Sequence, residues 1–181
     1  MTNFVLPTQG FYDCFGCSPN NERGLKLKIW YSDEGCFAYY KIPENLCGFT
    51  GVAHGGIIAS LLDEIAAWTI ITQLFRVGVT LELTIRYLKL VPTNEEITIK
   101  GRILEENGKN ISVKTSIYST NEGTLLAEAN SKWLLPKYST IARTLEINES
   151  QFEKTMIEFI TPLKNYILRH KSKNQQKNMS H

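Results

Sequence analysis

The chain has 181 residues, of which 43% are hydrophobic and 21% charged, and a formal net charge of +2. That length accommodates one domain with a substantial core, and the balance excludes a disordered or fibrous chain. So small a charge, with basic residues scattered until the C-terminus, argues against nucleic acid as a partner.

Residues 1–24 are punctuated by Pro7, Gly10, Gly16, Pro19 and Gly24 and read as an irregular lead-in that packs on the domain. The first residues lack the basic start and long apolar run of a secretory signal. No run of about 18 uncharged apolar residues follows, so the protein is expected to be soluble, cytoplasmic and without stable membrane insertion. All four cysteines, Cys14, Cys17, Cys36 and Cys47, fall in the first third of the chain. Cys14-Phe15-Gly16-Cys17 has the spacing of half a zinc site or of a redox motif, and Cys36 with Cys47 would complete four ligands. The spacing of that second pair matches no metal module, so the preferred reading is reduced thiols packed as small apolar groups, with no metal or cofactor.

Residues 25–31 alternate apolar and basic side chains at period two, Asp33-Glu34-Gly35 forms a turn, and residues 36–42 make a second β run, together a hairpin. Residues 43–53 are a loop. From about Gly55 to Phe75 runs one helix of about 30 Å, apolar nearly all round, which a small domain must enclose with a sheet. Residues 79–88, 97–103, 111–118 and 124–134 supply strands, expected as an antiparallel meander. After Pro136, Asn148-Glu149-Ser150-Gln151 caps a helix carrying Phe152, Met156, Phe159 and Ile160, with Pro162 inside or after it. The expected divisions are therefore a lead-in at 1–24, an α+β domain at 25–136, a helical extension at 137–168 and a disordered basic tail at 169–181. No internal repeat is visible.

The chemistry concentrates at the start of the long helix. There Gly51-Val52-Ala53-His54-Gly55-Gly56 precedes a helix with two acids inside it, Asp63 and Glu64. Unpaired amides and the positive end of the helix dipole lie at such a start, and the two glycines admit an oxyanion close to the backbone; a simple tight entry capped by His54 is the alternative. Asp63 shares a stripe with Ala59, Ser60, Ala66 and Ala67, whereas Glu64 neighbours Leu61 and Trp68. Asp63 is therefore the better working carboxylate, and Glu64 is expected to pair with Arg86 or Arg76 on or near the strands, a substrate contact being its other reading. From Gly56 to Asp63 the helix rises about 10 Å, so the amides and the carboxylate of one chain cannot grip one small group. They meet only between two antiparallel copies of the helix.

These residues resemble the hot-dog fold thioesterases, and within them the acyl-CoA thioesterases of phenylacetic-acid-degradation type. The resemblance rests on Cys14-Phe15-Gly16-Cys17 with Asn21-Glu22-Arg23-Gly24-Leu25, on Gly48-Phe49-Thr50-Gly51-Val52-Ala53-His54-Gly55-Gly56 with Asp63, and on Gly78-Val79-Thr80 leading to Ile85-Arg86-Tyr87-Leu88 and Pro92. It covers roughly residues 11 to 135 and implies a sheet wrapped round the helix, a homodimer or dimer of dimers, and hydrolysis of an acyl- or aryl-CoA thioester in lipid metabolism. It further implies that Asp63 is nucleophile or general base, that the Gly55 amide with Gly56 behind it is the oxyanion hole, that His54 orients the turn or the substrate, and that Thr80 positions the water. Gly48 stands where certain relatives carry an amide side chain, and Cys47 where a glutamine often precedes it. Arg86, Lys89, Lys132 and Lys137 are candidates for the CoA phosphates. A hydratase pattern is absent. A non-catalytic acyl-CoA or lipid-binding protein of the same fold is the second reading, and a zinc-stabilised module on the four cysteines the third.

Overall fold

The computed structural model describes residues 3–8 and 13–178. Its strands are β1 (Phe4–Val5), β2 (Trp30–Ser32), β3 (Gly35–Lys41), β4 (Cys47–Phe49), β5 (Val52–Ala53), β6 (Val79–Tyr87), β7 (Glu96–Asn107), β8 (Asn110–Ser119) and β9 (Leu125–Leu134), and its α-helices are α1 (Gly55–Leu74), α2 (Tyr138–Thr144) and α3 (Glu149–Asn178). Seven strands form one antiparallel sheet in the order β1-β2-β3-β7-β8-β9-β6, and β4 pairs with β5 separately.

Helix α1 is the core around which that sheet folds. Its Ile58, Leu61, Leu62, Ile65, Ala66, Trp68, Ile70 and Ile71 are buried, and it packs against β3, β7, β8, β9 and, more lightly, β6. Full burial of each large aliphatic side chain contributes about 1.5–3 kcal/mol. It is the one described helix long and apolar enough to cross a membrane by composition, and here most of it is walled by protein. The helix ends where Phe75 turns left-handed at φ 53°, its N–H reaching the Ile71 carbonyl at 2.9 Å.

Three expectations need correction. The inward-facing residues at 25–29 are buried as the alternation predicts, yet the ladder pairing of β2 begins only at Trp30. Lys26 adopts φ 51°, and the backbone turns instead to the lead-in: Leu25 N–H donates to Phe15 O at 2.7 Å and Leu27 N–H to Gly16 O at 2.9 Å. The meander holds only for β7, β8 and β9. Strand β6 lies at the far edge, paired with β9, because residues 88–95 carry the chain across and β7 takes the free edge of β3. Finally, α3 does not stop near residue 168. It continues to Asn178 through residues of good helix propensity, and the seven-residue α2, too short to show periodicity, precedes it. Pro162 lies inside α3, where it lacks an N–H to donate. Ile160, Leu163 and Ile167 bury themselves in the main core on either side of it, Phe159 meets the Trp68 ring edge-on at 6.1 Å, and Tyr166 donates to the Val5 carbonyl at 3.0 Å.

Helix and sheet approach closely at Gly101 in β7. A Cβ there would lie 2.5 Å from Thr69 Oγ1 and 2.9 Å from Ile65 Cγ2, both inside the buried interface. Gly101→Ala is therefore expected to push α1 off the sheet and cost roughly 1–3 kcal/mol. Thermal denaturation checks this, and an unchanged melting temperature would contradict the packing described.

Candidate active site

The loop before α1 is fastened by main chain and by one acid. His54 N–H donates to Leu46 O at 3.0 Å, Ala53 N–H to Val91 O at 2.9 Å and Thr93 N–H to Gly51 O at 3.0 Å. Glu44 closes the clamp: it accepts from Gly51 N–H at 2.9 Å, from Asn94 Nδ2 at 3.2 Å and from the Thr93 hydroxyl. Those donors, the Thr93 hydroxyl first, hold its carboxyl below the usual carboxylate range. Gly51, at φ 78°, needs the freedom of glycine to make the turn. Sequence reading missed Glu44, because Thr93 and Asn94 lie far along the chain and its near partner, Gly51, offers only a backbone amide.

His54 is the N-cap of α1, its Nδ1 accepting from Gly56 N–H at 3.0 Å. That satisfies one of the orphan amides of the helix start and leaves the Gly55 N–H with no acceptor among the described residues. Tyr87, at the end of β6, donates its hydroxyl to the Gly55 carbonyl at 3.0 Å and so ties the turn to the edge strand. Tyr87 occurs within the motif read from sequence, but no spacing assigns it that contact. Gly48 faces the same turn: a Cβ there would lie 3.3 Å from His54 Cα and 3.6 Å from its Cδ2, so the histidine ring occupies the space that a side chain would enter.

Asp63 and Thr80 come together as expected. The Thr80 hydroxyl donates to Asp63 Oδ1 at 2.9 Å. A slip in the β6–β9 pairing between Thr80 and Glu82 leaves Leu81 outside the ladder; such a bulge re-aims neighbouring side chains. Burial pushes the Asp63 carboxyl above the ordinary range, with the Thr80 bond pulling the other way. A half-buried carboxylate of raised basicity beside an open strand edge is a competent proton acceptor.

Glu64 and Arg86 are placed elsewhere. Arg86 lies on the sheet face opposite Tyr87 and pairs with Glu128 at 2.8 Å, which also holds Lys114 at 2.8 Å. Arg76 donates to the Leu135 carbonyl at 2.8 Å. Neither arginine meets Glu64, which corrects the expected ion pair. Glu64 instead accepts from Trp68 Nε1 at 3.0 Å and lies 3.7 and 3.6 Å, through its two oxygens, from Cys14 Sγ. Burial pushes its carboxyl up to about 7. The Cys14 thiol is drawn down to about 5, chiefly by its hydrogen bond with Cys17, whose own thiol rises for the same reason. Cys36 is buried against Thr72 Oγ1 at 3.1 Å, and neither it nor Cys47 joins the Cys14, Cys17 and Glu64 group, so the four-cysteine arrangement does not form. Of the lysines considered for phosphate, Lys132 pairs with Glu82 at 2.8 Å, and Lys137 lies at the N-cap of α2.

The profile of the family described as Thioesterase superfamily matches residues 50–126, which span the clamped turn, α1 and β6 to the start of β9. The fold is shared with zebrafish thioesterase superfamily member 2, at TM-score 0.60 and 23% identity over 66% of this chain and 88% of that one. The profile covers less than half of the chain; together with the architecture it shows a hot-dog fold, shared with the solved thioesterase-superfamily structures that the chain resembles. Among individual proteins, the chain is similar to human acyl-coenzyme A thioesterase 13, 31% identical over 85 residues covering 46% of this chain and 59% of that protein. It is also similar to mouse acyl-coenzyme A thioesterase THEM4, 29% identical over 90 residues covering 50% and 38%. The chain thus matches less than two thirds of the length of either curated relative. A thioesterase protein from Streptococcus pneumoniae, solved with coenzyme A, aligns at TM-score 0.56 and 26% identity over 61% of this chain and 85% of that one.

The hydroxyl bond to Asp63 stabilises its ionised form, so removing it must raise the carboxyl further. In Thr80→Val, a carbon-detected NMR titration of the Asp63 side chain is expected to show a midpoint above the already raised wild-type one. A midpoint that falls or stays fixed would refute the role assigned to this contact.

Proposed function

We propose that this protein is an acyl-CoA thioesterase, hydrolysing an acyl- or aryl-CoA thioester to the free acid and CoA. The Asp63–Thr80 pair carries the proposal: a carboxylate of raised basicity held at 2.9 Å by a hydroxyl at a bulged strand edge. Asp63 removes a proton from water, with Thr80 positioned to orient it, and the oxygen attacks the thioester carbonyl carbon. The Gly55 N–H has no acceptor among the described residues and is available to donate to the developing oxyanion, where such preorganised donors act strongly. Collapse of the intermediate breaks the carbon–sulfur bond, and the proton held by Asp63 returns to the departing thiolate.

Because about 10 Å of helix separates Gly56 from Asp63, the reading requires the Gly55 amide of one copy to face Asp63 of another. Support for a dimer comes from β6, an edge strand without a partner on its outer side among the described residues, where Val79 is 43% and Leu81 60% exposed. Such an edge is a template for pairing with a second chain. The names of the relatives support a CoA thioester as substrate, and the motif resemblance to phenylacetic-acid-degradation enzymes supports including aryl-CoA among the candidates. A non-catalytic acyl-CoA-binding protein is the second reading, motivated by Gly48, which offers His54 no amide neighbour.

Asp63→Asn is expected to lower hydrolysis about 10²–10⁴-fold across a panel of short, medium, long-chain and aryl acyl-CoAs. Equal rates in the variant would sink the assignment, and wild type that binds an acyl-CoA calorimetrically without turning it over would establish the binding protein instead. Tyr87→Phe, which frees the Gly55 carbonyl, is expected to reduce kcat/KM by about 2- to 10-fold, the worth of one neutral hydrogen bond. No change on the best substrate would remove Tyr87 as a positioning residue.

A further inference from the structure

Glu64 sits one residue from Asp63 yet about 100° round the helix, under the lead-in rather than at the strand edge. Its surroundings pose a problem that the proposed reaction does not solve. A carboxyl group on an apolar helix needs a cation or strong donors, and among the described residues no lysine or arginine pairs with it. What meets it, besides the Trp68 indole N–H, is a pair of sulfurs from a segment about fifty residues away in sequence.

The three groups converge as ligands do. Cys14 Sγ, Cys17 Sγ and a Glu64 carboxylate oxygen all lie within 4.8 Å of one another. Around a tetrahedral metal with bonds of about 2.3 Å to sulfur and about 2.1 Å to oxygen, the sulfur-to-oxygen edge is about 3.6 Å. The Cys14 sulfur stands 3.6 and 3.7 Å from the two Glu64 oxygens. Cys-x-x-Cys is also a ligand spacing that zinc sites use. An outer layer of donors is in place: Trp68 Nε1 fixes Glu64 Oε1 at 3.0 Å, and Gly16 N–H donates to Cys14 Sγ at 3.3 Å. Gly16 is required by the packing, since a Cβ there would overlap the Glu64 carboxylate. The turn itself is pinned by the bonds from Leu25 to Phe15 and from Leu27 to Gly16, so the sulfurs are presented by ordered backbone.

We propose that Cys14, Cys17 and Glu64 form a three-ligand Zn²⁺ site, with a water completing the tetrahedron. Two thiolates select a borderline-soft ion over calcium or magnesium, and the single carboxylate disfavours copper(I), which prefers an all-sulfur site. Binding replaces the thiol protons, which leave to solvent, and requires no oxidant or reductant. The ion fastens the lead-in to α1 at the residue next to Asp63.

The test uses the full chain, purified under reducing conditions without chelator or affinity tag, stripped, and titrated with Zn²⁺ and Co²⁺ alone. Wild type is expected to take up one equivalent of Zn²⁺, and its Co²⁺ form to show a thiolate-to-metal charge-transfer band with tetrahedral ligand-field absorption. Cys14→Ser, Cys17→Ser and Glu64→Gln are expected to lose stoichiometric uptake, while Cys47→Ser retains it. Trp68→Phe, which keeps an aromatic ring but removes the donor to Glu64, is expected to bind roughly 10- to 100-fold more weakly. Reduced wild type that takes up no Zn²⁺, or a Co²⁺ spectrum without the thiolate band, overturns the proposal, and the spectrum needs no variant to fold. Uptake that persists in Glu64→Gln and shows no thiolate band equally refutes this ligand set.

Discussion

A helix apolar on nearly every side has to be walled in, and the rest of this structure answers to that demand. The sheet surrounds much of α1, but a sheet of finite width leaves seams. One lies at β6, an edge strand with no outer partner among the described residues, and the other under the lead-in and α3, where the wall is made of turns and a helix. The two carboxylates leave the enclosure at those seams, Asp63 toward Thr80 and Glu64 toward Cys14. Neither faces the packed side at Leu61, Leu62 and Ile65, where an uncompensated charge would cost several kcal/mol.

What was legible in the sequence follows from the range over which each cause acts. The helix at residues 55–74 and the strands after it announce themselves by composition and period, which are local. The burial of Leu25, Leu27 and Ile29 was equally visible, but their backbone partners in the lead-in were not, because a left-handed Lys26 and two bonds to Phe15 and Gly16 are products of folding. Strand order was hidden for the same reason: nothing in residues 88–95 says that they span the sheet. Asp63 was distinguished from Glu64 by its stripe of small neighbours, and the resemblance added Thr80. Tyr87 escaped because the group that it holds is a backbone carbonyl, identical in every residue, and Glu44 because folding alone brings Thr93 and Asn94 to it.

Glu64 shows how a correct chemical intuition reaches a wrong partner. An acid inside an apolar helix has to be compensated, and from sequence an arginine is the obvious compensation. Arg86, however, sits on the face of β6 that points away from the helix, where Glu128 is its cross-strand neighbour. Strand alternation made that outcome certain once Tyr87 pointed inward to Gly55.

The separation of amide and acid along α1 is the step that links architecture to chemistry. Within one chain the helix start offers the Gly55 N–H without an acid in reach, and Asp63 offers a base without an amide in reach. In the proposed dimer, a two-fold rotation that sets two such helices antiparallel would supply each deficit from the other copy, with the β6 edges as the strands to be paired. Of the small stripe beside Asp63, Ala66 and Ala67 pack into the core of their own chain, which leaves Ala59 and Ser60 as the small side chains available to a second helix in the proposed dimer. A single subunit encloses much of α1 but leaves Val79 and Leu81 exposed on β6. In the proposed enzyme it does not complete the catalytic site either, so that site has the pair as its minimal unit.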